Sequence, residues 1–209
     1  MSFMPRNYAG GVRVSFSSQD ISSSFDKVAL VSFGEKAQAL CPFTSPDDRA
    51  LKSAVESLSK KSGFATNLSG ALRLGNHLLS EMPSHFKRTI WVLTDGVDNV
   101  FTSDVFPQAR RAKELDIAIH TVGIGEDENF DEYRLMAVSS FSAGGQYVPM
   151  SAARSLGMAF YEYHHRDAEA TVYCVDTSTS MMVEPSGTDT KIRAVQDTLH
   201  DLIRWKRVI

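Results

Sequence analysis

Cysteine is scarce in this 209-residue chain. Only two occur, Cys41 and Cys174, far apart and each beside apolar residues. A disulfide framework is therefore excluded, and a reducing compartment is the simpler expectation. No stretch approaches the roughly 18 consecutive apolar residues that a bilayer span needs. Met1 to Gly11 carries no apolar segment of the secretory kind, so the chain is expected to be intracellular and cytoplasmic. An excess of one charge is also missing. Lys plus Arg is 22 and Asp plus Glu is 25, giving 22 − 25 = −3 and a pI near 6.1. That balance lacks the electrostatic footprint of a phosphate-backbone binder, and the basic surplus of a membrane-surface protein. Familiar catalytic strings are absent: there is no Walker A loop, no Gly-x-Ser-x-Gly elbow and no His-Glu-x-x-His. Gly123-Ile124-Gly125 has no third glycine to make a dinucleotide fingerprint. The six histidines form no His-x-x-x-His pair. Glu162 and His165 make a single Glu-x-x-His at a predicted helix end, where capping explains the histidines better than a metal does.

The composition, 43% hydrophobic and 22% charged, is that of a globular protein. Residues 1–25 mix Gly, Ser, Asn and Arg around one alternating patch, Val12 to Phe16, and read as an extension or loop. From there on, apolar runs alternate with helical periodicity. Strands are predicted at 28–33, at 37–40 (an edge strand stopped near Pro42), at 89–93, at 117–122, at 146–148 and at 170–175. Helices are predicted from Ser45-Pro46-Asp47-Asp48, with Pro46 in the first turn, from Asn67, over 104–115, 131–141 and 151–163, and from Asp189 or Thr190 with Ile192, Val195, Leu199 and Leu202 on one face. The strands are continuously apolar rather than alternating. That pattern predicts an open α/β fold: a mostly parallel, Rossmann-like sheet with helices on both faces. Ligands of such sheets sit beyond the carboxyl ends of the strands, where Asp95, Gly123 and Asp176 fall.

Asp176-Thr177-Ser178-Thr179-Ser180 directly follows the last predicted strand. A carboxylate and two hydroxyls at alternate positions are hard oxygen donors, suited to Mg²⁺, which takes six oxygens at about 2.1 Å and keeps several waters. Alone, the string is weak evidence, and turn capping is the plainer reading. Two further segments stand at matching places in the fold: Thr94-Asp95-Gly96 at another strand end, and Gly63-Phe64-Ala65-Thr66-Asn67 before a helix. Smaller features read more plainly. His120 lies inside a strand and should pack. Arg110-Arg111-Ala112-Lys113 should be an exposed helix face, and Glu126-Asp127-Glu128 a solvated loop. Met181-Met182 suits packing or partner contact.

Together these segments resemble the von Willebrand factor A domain family. Its metal-ion-dependent adhesion site uses Asp-x-Ser-x-Ser after the first strand, a Thr before the third helix and an Asp after the fourth strand. "DKVALVSFGEKAQAL" resembles the family's second and third strands, "ATNLSGAL" its threonine loop and helix, "TIWVLTDGVDN" its fourth strand, "DIAIHTVGIGED" its fifth and "GGQYV" its last. The resemblance covers about residues 26–205. It implies that Asp176, Ser178, Ser180, Thr66 and Asp95 hold Mg²⁺ or Mn²⁺ at the protein surface. It further implies a binding module, not an enzyme, that presents the metal to an Asp or Glu carboxylate of a partner protein, with loops 97–104 and 183–190 selecting that partner. Nucleic acid and membrane are not expected partners.

The order of segments departs from the family, because the Asp-x-Ser-x-Ser strand and its helix stand last, at 170–206. Two arrangements give this order. A circularly permuted domain over 26–209 is the favoured one, and implies a monomer. A fragment of a tandem array, completed by swapping 170–206 between chains, is the other. A Mg²⁺-dependent phosphoryl hydrolase with Asp176 as nucleophile is the rival activity, but Ser178 stands where such an enzyme would need a second acid.

Overall fold

A computed structural model describes residues 26–61, 63–95, 104–124, 131–150, 168–182 and 190–205. The Val12–Phe16 patch, the helix expected at 151–163, the Glu162–His165 pair, the acidic run at 126–128 and most of loops 97–104 and 183–190 lie outside the described residues. The elements in chain order are β1 (Lys27–Phe33), β2 (Ala37–Thr44), α1 (Arg49–Ser57), α2 (Leu68–Ser80), β3 (Lys87–Thr94), α3 (Phe106–Glu114), β4 (Ile117–Ile124), α4 (Glu132–Ser140), β5 (Tyr147–Met150), β6 (Glu169–Asp176) and α5 (Lys191–Trp205). They form one six-stranded sheet in the order β2-β1-β6-β3-β4-β5. Every pairing is parallel except β1 with β2. The α/β architecture with a mostly parallel sheet is thus as the apolar runs predict.

Burial explains those runs. Every residue of β4 and β6 is buried, because helices cover both faces of the sheet. On one face, Leu30, Trp91, Leu93, Tyr173 and Val175 pack against Leu51 and Val55 of α1 and Ile192, Val195 and Leu199 of α5. On the other, Val31, Phe33, Ile90, Val92, Val172 and Cys174 pack against α2, α3 and α4. The two cysteines are free and buried on opposite faces. Burial pushes the Cys174 thiol up to about 12. His120 is buried and stacks on Trp91 at 4.3 Å between ring centroids, as the packing reading required. Met181 is fully buried in the core, so it packs rather than meeting a partner.

Some expected boundaries move. β2 does not stop near Pro42 but runs to Thr44. It is an edge strand, where proline's missing N–H deprives no neighbour of a bond. The register also bulges there: Val28 faces Thr44 and Leu30 faces Cys41, so the steps on β2 outnumber those on β1. Pro46 precedes α1 rather than sitting in its first turn. Asp48 is the N-cap, its carboxylate accepting from Ala50 N at 2.8 Å, and the bond holds that carboxyl below its ordinary range after a stronger contribution from the Thr44 hydroxyl. β4 runs past Gly123 to Ile124, and the strand expected at 146–148 occupies Tyr147–Met150.

Candidate metal centre

The sheet brings two strand ends together. β6 lies between β1 and β3, and the pairing of Leu93 with Val175 sets the next residues, Thr94 and Asp176, side by side. The backbone then leaves β6 through a tight turn. Asp176 Oδ1 accepts from Ser178 N at 2.8 Å, and residues Thr179–Met182 form a 3-10 turn. This folds Ser178 and Ser180 back toward the strand ends, with their hydroxyls 3.0 Å apart.

The third segment is held by its backbone. Gly63 N donates to Thr177 O at 3.0 Å, and Thr179 N donates to Gly63 O at 2.8 Å, so the loop before α2 runs as a short parallel bridge along the Asp176 turn. On its other side it meets Gly34: a Cβ on either glycine would stand 3.0 Å from the other's Cα. Two backbones therefore cross at a distance that only paired glycines allow without displacement. Asn67 anchors the start of α2. Its Oδ1 caps the helix by accepting from Gly70 N at 2.7 Å, and its Nδ2 donates to Glu35 O at 3.0 Å. Thr66, just before this cap, turns its hydroxyl toward Asp176 Oδ2 at 3.4 Å.

All five residues expected from the sequence are therefore gathered at one place. Asp176 Oδ2 accepts from Thr94 Oγ1 at 2.6 Å and, more distantly, from Thr66. Ser180 Oγ contacts Ser178 Oγ and donates to Asp95 Oδ1 at 2.8 Å. The expectation of a surface site needs correction: Asp176, Asp95, Thr66 and Ser178 are buried, and Ser180 is the exposed member. Burial raises the Asp176 carboxyl to about 6, against the lowering effect of the Thr94 and Ser178 hydrogen bonds; the charge of Asp95 adds a smaller upward push. Two participants were not foreseen as site residues. Thr94 gives Asp176 its shortest hydrogen bond, and Lys191, the first residue of α5, places its ammonium 2.6 Å from Asp95 Oδ2.

The donor chemistry fits a hard cation. Five side chains offer carboxylate and hydroxyl oxygen with no sulfur or imidazole among them. Among the described residues no group of three or more His, Cys, Asp or Glu gathers at one place, and this site too has only two carboxylates, its other donors being hydroxyls. Asp176 is also a buried carboxylate whose hydrogen-bond donors are neutral, the kind of group a metal ion stabilises.

Comparison with known proteins identifies the fold family. The profile of the von Willebrand factor type A domain matches residues 12–153. The chain belongs to that family. Its members are commonly protein-interaction modules. The matched span contains Thr66 and Asp95 and ends before β6 and α5, so Asp176, Ser178 and Ser180 lie outside it. No curated protein matches the sequence. Among solved structures, the crystal structure of an uncharacterized membrane spanning protein from Vibrio fischeri is 25% identical, over 69% of this chain and 76% of its own, with a TM-score of 0.34. Among the described residues of this chain, no helix is long and apolar enough to cross a membrane.

Proposed function

We propose that this von Willebrand factor type A domain binds Mg²⁺ or Mn²⁺ through Asp176, Ser178, Ser180, Thr66 and Asp95, and uses the metal to capture an Asp or Glu carboxylate of a partner protein. The observation that carries the reading is the convergence of five hard oxygen donors from three separate segments: the loop before α2, the end of β3 and the end of β6. They meet where the parallel sheet changes direction of winding, the place where open α/β sheets bind ligands. When bound, the metal supplies an electrophilic position for an incoming carboxylate. The chain's own residues orient it. Thr94 and Ser178 N fix the Asp176 carboxylate, and the Gly63 bridge fixes the distance of Thr66 from the Asp176 turn.

The surroundings favour an acidic partner with an apolar neighbour. Phe64, in the loop that carries Thr66, is 88% exposed, although its backbone neighbour Gly63 is pinned to the Asp176 turn. A groove whose lining includes Asn67, the residue after Thr66, carries the cationic side chains of Lys36 and Arg73. An acidic peptide would find both a carboxylate seat and a complementary flank. An enzymatic reading has less support, since Ser178 occupies the position where phosphoryl transfer from Asp176 would need a second acid.

The order of segments supports a circular permutation within one domain of residues 26–209. Counting β6 as the first strand turns the observed sheet into the order 3-2-1-4-5-6 of doubly wound folds. Pull-down of partners from lysate with Mg²⁺, with EDTA and with Asp176→Ala tests the binding function. Capture that requires Mg²⁺ and is lost in the variant is the expected result. Capture that persists in EDTA would overturn it.

A further inference from the structure

The two carboxylates of the site are satisfied in different ways. Asp176 receives neutral donors: the Thr94 and Thr66 hydroxyls and Ser178 N. Asp95 is engaged on both oxygens, by Ser180 Oγ at 2.8 Å on Oδ1 and by the Lys191 ammonium at 2.6 Å on Oδ2. The Asp95 side chain is fully enclosed, whereas the Lys191 side chain keeps 15% of its surface open to solvent. Lys191 is also the first residue of α5, where its charge adds to the positive end of the helix dipole. That position alone disfavours a cation, so the Asp95 carboxylate is what holds the ammonium inward. A divalent ion held by Asp95 would draw on the carboxylate that the ammonium already neutralises. Two cations at such short range in a poorly solvated site repel strongly.

We propose that Lys191 is a tethered counter-cation of this site, seated on Asp95 when no metal is bound and withdrawing to solvent when a divalent cation enters. The inference rests on the metal-binding reading of the same residues. Withdrawal is physically simple, because a flexible four-carbon stem that is already partly open to solvent can swing out without moving the helix. The ammonium spares the metal-free fold an unpaired buried charge at Asp95, and it lowers the affinity for metal by competing for the same oxygens. The site then fills only when the divalent ion outcompetes a cation already supplied by the chain.

The test uses the full chain. Acetylation of lysine amines, followed site by site by mass spectrometry, reports the position of Lys191 in the unmodified protein. Lys191 should react slowly in EDTA and several-fold faster in saturating Mg²⁺, with no such change in Asp176→Asn. Calorimetry with Mg²⁺ and Mn²⁺ should give Lys191→Met about a tenfold tighter affinity than wild type, or about 1.4 kcal/mol. Lys191→Arg should stay near wild type. A Lys191 equally protected with and without bound metal overturns the proposal while leaving the metal site standing. So does a Lys191→Met variant of unchanged or weaker affinity. If neither wild type nor Lys191→Met takes up either metal, the metal-binding reading itself fails, and this inference with it.

Discussion

Thr94 donates a 2.6 Å hydrogen bond to Asp176 across the boundary between β3 and β6. The contact ties together the two strand ends from which the site is built, and it aims one carboxylate oxygen while Ser178 N holds the other. Thr94→Val keeps the shape and removes the donor. A buried charged acceptor that loses its best partner costs about 1–3 kcal/mol, so the variant should be destabilised in EDTA at neutral pH. Supporting residues of this kind are worth roughly 10–100-fold in metal affinity. Calorimetry on Thr94→Val and Thr94→Ser should show that loss in the first and near-recovery in the second. Equal affinities in both would mean that the hydroxyl orients nothing.

The buried Asp176 carboxyl gives the fold a pH dependence of definite sign. Its folded-state value, raised by burial to about 6, lies above the ordinary 3.8. Between these values the folded chain binds more protons than the unfolded chain, so unfolding free energy falls as pH rises through that window. At neutral pH the ionised group costs the metal-free fold on the order of 3 kcal/mol. Asp176→Asn should therefore be more stable than wild type in EDTA at pH 7, with the advantage shrinking toward pH 4. The same variant should lose any stabilisation by Mg²⁺. Denaturant titrations across pH 4–7 read both effects. Parallel pH profiles for the two proteins would place the titration elsewhere.

The crossing of Gly34 and Gly63 predicts a second route to a damaged site. In Gly63→Ala the new Cβ would meet Gly34 Cα at 3.0 Å, backbone against backbone, with no flexible side chain to yield. Relief must come from separating the loops, which stretches the bonds from Gly63 to Thr177 and Thr179. Overpacking of this sort costs about 1–3 kcal/mol. Because Thr66 lies on the displaced loop, Mg²⁺ affinity should fall together with stability. A variant that loses stability but binds Mg²⁺ as wild type does would show that the loop's position is not what places Thr66.

Much of this was legible in the sequence, for a reason that also marks the limit. An apolar run such as Val172–Val175 reads as a strand buried on both faces because no alternation is left to a solvent side. Asp176 and Asp95 stood out because each adjoins a strand end, and local pattern locates element ends; Thr66 stood out through the family resemblance of its loop. Thr94 and Lys191 did not stand out. The role of Thr94 depends on the β3–β6 register, and that of Lys191 on a long side chain reaching back across the site. The burial of the carboxylates escaped the sequence for a related reason. The Gly63 loop that contacts the Asp176 turn lies 116 positions from Thr179, and nothing local announces the contact. Pro42 misled because proline ends an interior strand but not an edge strand.

Phe64 offers a test of the partner surface that leaves the metal alone. Its ring is exposed and makes no part of either core cluster, so Phe64→Ser should fold normally and bind Mg²⁺ as wild type does. An exposed aromatic at the centre of a contact is a common source of binding energy, and its loss typically costs about 2 kcal/mol or more, roughly thirtyfold in affinity. The expected outcome is weakened capture of a Mg²⁺-dependent partner with calorimetry unchanged. Full capture by the variant would move the contact away from the Thr66 loop.

The position of β6 makes the oligomeric state the sharpest test of the chain's order. β6 pairs with β1 from Lys27 to Phe33 on one side and with β3 from Lys87 to Leu93 on the other, and it carries Asp176 at its end. Without it the sheet would split into two pieces with open parallel edges and a row of exposed apolar residues, including the partners of Val172 and Cys174. The strand must therefore come from somewhere, and two sources bury the same contacts: the same chain or a second copy. Supply from the same chain predicts a monomer at every concentration, with one Mg²⁺ site per chain. Exchange predicts a dimer that persists on dilution until the fold is lost, since each half would then need the other. Sedimentation velocity over a wide concentration series separates them. A monomer that binds Mg²⁺ at low concentration supports a permuted domain closed on itself. An obligate dimer would overturn it and make Asp176 a residue supplied to one subunit's site by the other.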